Sequence, residues 1–269
     1  MRQFLLLTAS VGAMELAFTV AQAADVIPEA APAAPDWTAF HIGVGGGAGY
    51  NTYNADSTAL LFLDAILDQV PDGPPIFGDS IEDDDLDAWY GFGTIEVGFD
   101  VQFDGSPFVI GILANYDFNG DSSADAESSS SFETLSLDNR IEAELDDAWF
   151  VGGRVGFVFN DDTLIYGLGG YTWVDGQVKA DAEETSTGFV STHVDEEESV
   201  DGWTIGAGIE HLITANLSLK VEYRHDFLDE IDFDEAHANN GVILTQEGSV
   251  DFSRDTVRAV LSWRFNPFE

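Results

Sequence analysis

Cysteine is absent from this chain of 269 residues, and bases are scarce: nine Lys and Arg stand against fifty Asp and Glu. Without cysteine there is no disulfide framework, no thiolate metal site and no cysteine nucleophile. A formal charge of −41 excludes nucleic acid as a partner, because phosphate contact needs basic surface. Beyond the N-terminus there is also no apolar run near the roughly 20 residues of a spanning helix. Any membrane span must then be a closed barrel, since only helices and closed barrels satisfy their backbone groups in lipid. Disorder, another fate of very acidic chains, is excluded by 20 Phe, 7 Tyr and 6 Trp.

The N-terminus carries Arg2, then Phe4-Leu5-Leu6-Leu7 and a mostly apolar stretch to Val20, then Ala21-Gln22-Ala23. This is the pattern of a secretory signal peptide over 1–23, cut after Ala23. Residues 24–36, with Pro28, Pro32 and Pro35 among alanines, read as an extended periplasmic spacer. Residues 37–269 form the remaining domain.

That domain shows a two-residue period eight times over. In 256–265, Val257, Ala259, Leu261, Trp263 and Phe265 share one face, and Arg258 and Arg264 fall on the other. One apolar face and one polar face is what a membrane barrel strand needs, with lipid outside and a polar interior. Comparable segments are 38–51, 88–101, 108–118, 148–159, 163–174, 202–212 and 217–227. The segment 163–174 sets Leu164, Tyr166 and Leu168 on its apolar face, and its upper half is ambiguous because Tyr171 and Trp173 fall on the opposite parity. The connections alternate between tight turns, such as Asn160-Asp161-Asp162, and long stretches. Outer-membrane barrels have that asymmetry, with short periplasmic turns and long outer loops. The expected fold is all-β, an eight-stranded antiparallel transmembrane β-barrel of up-and-down type.

The parity also sorts the charges. Glu96, Arg154, Glu210, Lys220, Glu222, Arg224, Arg258 and Arg264 all fall on the face opposite the lipid. An eight-stranded barrel is just wide enough for side chains to fill it, and buried charges must pair, so a salt-bridge network is expected inside. It would serve either as an ion path or as a polar core that plugs the barrel. Trp89, Trp149 and Trp203 near one set of strand ends, with Trp263 and Phe265 near the other, read as an interfacial girdle.

Most acids lie in the long connections, with runs at Glu82-Asp83-Asp84-Asp85, Asp195-Glu196-Glu197-Glu198 and 229–235. None has the spacing of a defined calcium loop, so the expectation is solvated surface that binds Ca²⁺ or Mg²⁺ loosely, next to lipopolysaccharide. Residues 59–70 read as a short amphipathic helix that folds over the barrel mouth.

The stretches 202–210 (Gly-Trp-Thr-Ile-Gly-Ala-Gly-Ile-Glu) and 216–224 (Asn-Leu-Ser-Leu-Lys-Val-Glu-Tyr-Arg) resemble the hairpin signature of the small outer-membrane β-barrel domain family of Gram-negative bacteria. That family includes opacity-type and surface-antigen proteins and is related to OmpA-like barrels. Asp36-Trp37-Thr38-Ala39-Phe40-His41-Ile42-Gly43 is similar to its entry into the first strand, and Ser262-Trp263-Arg264-Phe265 to its closing strand. The resemblance implies an outer-membrane location, insertion by the barrel-assembly machinery through Phe265 or Phe268, and lipid and lipopolysaccharide as surroundings. It implies a surface antigen, an envelope-stabilising protein or a small porin, and no chemistry.

No catalytic set emerges from the histidines His41, His193, His211, His225 and His237. His237-Ala238-Asn239-Asn240 resembles a lipid A deacylase motif, but Asn239 stands where the serine belongs. The expectation is a non-enzymatic envelope or surface protein. A cation-preferring pore and a divalent-cation-dependent adhesin are the alternatives.

Overall fold

A computed structural model of the chain describes residues 36–63, 75–120, 122–132, 135–184, 190–239 and 242–265. The signal peptide, nearly all of the spacer, and Phe268 lie outside the described residues.

Among the described residues there are ten antiparallel strands: β1 Ala39–Leu63, β2 Phe77–Gln102, β3 Phe108–Asn119, β4 Ser123–Phe132, β5 Leu135–Phe159, β6 Thr163–Glu184, β7 Ser191–Thr214, β8 Leu217–Leu228, β9 Ile231–Asn239 and β10 Val242–Phe265. Eight of them, β1-β2-β3-β5-β6-β7-β8-β10, form a ring, which the β1–β10 ladder closes from Phe40 opposite Phe265 upward. Strands β4 and β9 continue β3 and β8 after short breaks and pair with the upper halves of β5 and β10.

Six of the eight ring strands run far past their expected ends. Strand β1 has 25 residues and β2 has 26, whereas a tilted membrane strand needs roughly 9–11. The regions read as long loops are largely strand, and Ala59–Leu63 belongs to β1 rather than to a helix; residues 64–70 lie outside the described residues. The reason is that face polarity inverts along the chain. In the lower part of β6, Ile165, Tyr171 and Trp173 face outward while Thr172 is buried; above it, Val174, Val178, Ala180 and Ala182 are buried while Asp175, Asp181 and Glu183 are exposed. Alternation continues, but with the apolar residues inside.

This inversion coincides with a level of irregularity around the ring. Register shifts occur at Tyr53/Ala55 in β1–β2 and at Leu145/Ala148 in β5–β6; β3 ends at Asn119 before β4 begins at Ser123, and β8 ends at Leu228 before β9 begins at Ile231. Bulges of this kind increase twist and redirect strands. Below this level the barrel is closed. Above it the ladders separate into two four-stranded sheets, β2-β1-β10-β9 and β4-β5-β6-β7. They pack face to face on Tyr53, Ile141, Leu145, Val178, Val194, Phe233, Val250 and Phe252. Higher still, a buried polar clasp joins the sheets: Gln246 Nε2 donates to Asn139 Oδ1 at 2.8 Å, and Thr192 Oγ1 to Gln246 Oε1 at 2.9 Å. Burial of these groups is tolerated because each is hydrogen-bonded.

Candidate functional site: a filled bore and an aromatic collar

The lower barrel faces outward with Phe40, Ile42, Val44, Ile95, Val97, Ile112, Val155, Ile205, Val221 and Leu261, all substantially exposed. Its interior is charged, and the charges balance. Six bases (Arg154, Lys220, Arg224, Arg254, Arg258, Arg264) and six acids (Glu96, Asp100, Asp117, Glu210, Glu222, Asp226) are each at most 2% exposed.

Arg154 is one hub. Its Nε and Nη2 donate to both oxygens of Asp100 at 2.9 and 2.6 Å, and Nη1 donates to Glu210 at 2.7 Å. Glu210 also accepts from Arg264 at 3.1 Å and from Ser218 at 2.6 Å. Glu222 is the second hub, accepting from Arg224 Nε at 2.5 Å and from the Tyr166 hydroxyl at 2.7 Å. Lys220 pairs with Glu96. Arg258 binds Asp117 through two bonds of 3.0 and 3.1 Å, and Arg254 donates to Asp226 at 2.7 Å. Fork-to-fork pairs of this kind fix geometry as well as neutralise charge. His41 lies between Glu96 and Asp100, 3.6 Å from each.

Apart from Arg154 and Asp117, much of the wall formed by β3, β5 and β6 is apolar, with Val109, Leu113, Phe150, Leu164, Tyr166 and Leu168. Leu164, Tyr166 and Leu168 therefore point inward, contrary to the face the sequence suggests for them, because they build this apolar wall of the bore; the outward face of β6 is that of Ile165, Tyr171 and Trp173. Guanidinium groups stack on this wall, Arg224 over Phe150 at 4.1 Å and Arg154 over Tyr166 at 4.9 Å, so the aromatic faces supply part of their solvation.

Trp37 closes the lower end. It is fully buried, its indole Nε1 donates to Asp161 O at 3.0 Å, its carbonyl accepts from Arg264 at 2.7 Å, and its ring lies 4.7 Å from that guanidinium. Asp161 sits in a turn where it and Asn160 have φ of 60° and 55°, a left-handed conformation that Asn and Asp tolerate.

All eight interior residues expected from parity are brought together in the bore. Asp100, Asp117, Asp226 and Arg254 belong with them and escaped the sequence reading. Asp100 and Asp226 sit on inward parity in segments already assigned, and Arg254 lies two residues before the assumed start of the last strand. Trp89, Trp149, Trp203, Trp263 and Phe265 are all exposed on the outer face.

At the inversion level the outer face carries a fourfold device. Tyr50 lies opposite Trp89, Tyr116 opposite Trp149, Tyr171 opposite Trp203 and Tyr223 opposite Val257. Each tyrosine hydroxyl donates to the aspartate two residues before that partner. Tyr50 reaches Asp87 at 2.6 Å, Tyr116 reaches Asp147 at 2.6 Å, Tyr223 reaches Asp255 at 2.5 Å, and Tyr171 reaches Asp201. The three Tyr–Trp ring pairs have centroids 4.5 to 5.2 Å apart. The sequence signal is the repeat Asp-x-Trp at 87–89, 147–149 and 201–203. Aromatic rings with one wet end suit a lipid–water boundary.

The acidic runs are on strands, not loops. Glu82–Asp85 belongs to β2, Asp195–Glu198 to β7, and Ile231–Glu235 to β9. Among the described residues, no group of three or more His, Asp or Glu is arranged to hold a metal ion. The histidines do not converge. His41 is in the bore, His211 is exposed beside Asp162, His225 bonds Asp255 at 2.8 Å in the collar, and His193 bonds Asp181 at 2.6 Å on the outer sandwich.

Comparison with known proteins finds relatives among outer-membrane proteins. The 31 kDa outer-membrane immunogenic protein of Brucella melitensis biotype 1 is 28% identical over 256 residues, covering 92% of this chain and 94% of that protein. The 22 kDa outer membrane protein of Rhizobium leguminosarum bv. viciae is 34% identical over 85 residues, 31% of this chain and 34% of that one. Among solved structures, the outer membrane protein OprG of Pseudomonas aeruginosa aligns with 85% of this chain and 97% of its own, at 10% identity and a TM-score of 0.41. The family model for the outer membrane protein beta-barrel domain matches residues 13–265, and the chain belongs to that outer-membrane family.

Proposed function

We propose that this outer-membrane protein is a non-conducting, non-enzymatic envelope protein that holds a rigid acidic β-sandwich above the membrane. The filled bore carries this reading. Six acids and six bases neutralise one another there, all buried, between the Trp37 seal below and the apolar core of the sandwich above. A conducting path would need mobile, hydrated charges, and these are locked in direct pairs. The scatter of the five histidines, His41 in the bore, His211 beside Asp162, His225 in the collar, His193 on β7 and His237 on β9, supports the absence of catalysis.

The collar sets the depth of the barrel, with its tyrosine hydroxyls and aspartates among the outer headgroups and lipopolysaccharide. Above it the exposed carboxylates hold a loose atmosphere of Ca²⁺ or Mg²⁺ that screens them against lipopolysaccharide phosphates. The closing strand, ending at Phe265, is what the barrel-assembly machinery reads. The test is single-channel recording of the refolded mature chain in a planar bilayer at two salt concentrations. A silent barrel of verified fold supports the proposal; discrete cation-selective openings would overturn it in favour of a small porin.

A further inference from the structure

The two sheets of the outer sandwich meet along two seams, and the seams differ. On one side β2 faces β4. There Asp79 of β2 points inward, is buried, and accepts hydrogen bonds from Ser128, at 3.2 Å, and Ser130 of β4. Side chains thus latch that seam. On the other side β7 faces β9. The last backbone bond between these walls is Asp229 N to Asp201 O, 3.0 Å. Above it, among the described residues, β7 forms a ladder only with β6, and β9 only with β10.

Exposure along this second seam breaks the alternation. On β7 the inward positions Val194 and Val200 are buried, but Glu196 and Glu198 between them are exposed. On β9 the inward positions Ile231 and Phe233 are buried, but Glu235 and His237 are exposed. Their cross-strand partners Val178, Gln246 and Leu244 are buried, so parity does place these side chains on the inner faces. The sandwich is therefore open at this corner, and the opening presents inner-face carboxylates from both sheets beside two unpaired strand edges.

Unpaired edges recruit further strands, and charge on an edge selects against wrong partners. A second copy of this chain would bring the same acidic edge and be repelled. We propose that the β7/β9 corner is a docking slot for an extended basic peptide segment of another protein, added by main-chain pairing to a free edge, with its Lys or Arg side chains directed at Glu196, Glu198 and Glu235. Strand addition supplies main-chain affinity, and the side chains supply selectivity.

The probe is a peptide of alternating lysine and valine, about eight residues long, titrated by fluorescence anisotropy against the full refolded chain in micelles. Saturable binding is expected. Replacing Glu196, Glu198 and Glu235 together with Gln should weaken it about tenfold, three exposed charge pairs of ordinary strength. The matched control removes three outward carboxylates, Asp195→Asn, Glu197→Gln and Asp234→Asn, and should weaken it less than about threefold, by screened long-range attraction alone. Methylating alternate backbone nitrogens of the peptide should abolish binding, since those groups must donate to the edge. Equal losses for the two triple variants, indifference to N-methylation, absence of saturable binding, or displacement of the peptide by millimolar Ca²⁺ held at the same three glutamates would each overturn the proposal. Folding of the variants is checked by heat-modifiable gel mobility.

Discussion

Two arginines in this protein make ion pairs of the same length in opposite surroundings. Arg154 donates to Glu210 at 2.7 Å with both side chains 1% exposed, and Arg140 donates to Glu127 at 2.7 Å with side chains 46% and 62% exposed. Distance alone predicts equal worth; burial predicts otherwise. Arg154→Ala leaves Asp100 and Glu210 facing each other's charge without water, and breaking a buried pair in this way costs about 3–5 kcal/mol. Arg140→Ala removes a solvated, screened contact worth about 0.5 kcal/mol. With a guanidinium slope of about 4 kcal/mol per molar, the unfolding midpoint should fall by about 1 M for Arg154→Ala and by about 0.1 M for Arg140→Ala. Arg154→Met, which keeps a side chain of similar length, should still lose most of the 1 M because Asp100 loses both bonds from Arg154 and Glu210 keeps only Arg264 and Ser218. The assay is tryptophan fluorescence of the refolded barrel in micelles. A shift for Arg154→Ala no larger than that for Arg140→Ala would refute the reasoning, because the bore would then be hydrated enough to screen its own charges.

Trp37→Ala empties the lower seal, and at the cost typical of a buried Trp truncation, about 3 kcal/mol or more, should lower the same midpoint by nearly 1 M; an unchanged midpoint would show that the seal is dispensable. Val178→Asp puts an unpaired charge into the fully buried core of the sandwich, so a glutamate-specific protease should cut the outer region readily while heat-modifiable mobility of the lower barrel persists; resistance equal to the parent would contradict a packed outer core. His193 is fully exposed, and its hydrogen bond and attraction to Asp181 raise its pKa above the ordinary imidazole value. The charged form is the one favoured in the fold, so this contact is fully present below the unfolded pKa and is lost as pH rises through the folded one. NMR titration should give a midpoint above that of an unpaired imidazole, and Asp181→Asn should bring it back down; an unshifted midpoint in the parent would exclude the pair.

The membrane part of this fold is legible in the sequence because outward apolar residues mark it. The segments 108–118 and 217–227 differ from β3 and β8 by one residue at the upper end. The outer half was hidden by the same criterion. Once Val178, Ala180 and Ala182 turn inward and Asp181 and Glu183 turn outward, a search for apolar outer faces finds only acidic, loop-like composition. In β6 the apolar wall of the bore, Leu164 to Leu168, put apolar residues on both parities. Asp117, between Tyr116 and Phe118, sits opposite the apolar parity of 108–118, as Asp100 and Asp226 do in their segments. The corner between β7 and β9 depends on which ladders end where, which no local pattern encodes.

The central claim is that one set of strands runs from an apolar-outside barrel into an apolar-inside sandwich. The absence of cysteine makes single-site spin labelling clean, and β6 crosses the whole boundary. Labels at 165, 169, 173, 177, 181 and, facing inward, 178 and 182 would be placed in the refolded protein in lipid vesicles, and their access to oxygen and to a water-soluble nickel chelate measured. The account predicts oxygen access at 165, 169 and 173, chelate access at 177 and 181, and neither at 178 and 182. Equal chelate access at 178, 181 and 182, with the rapid motion of a loop, would contradict it.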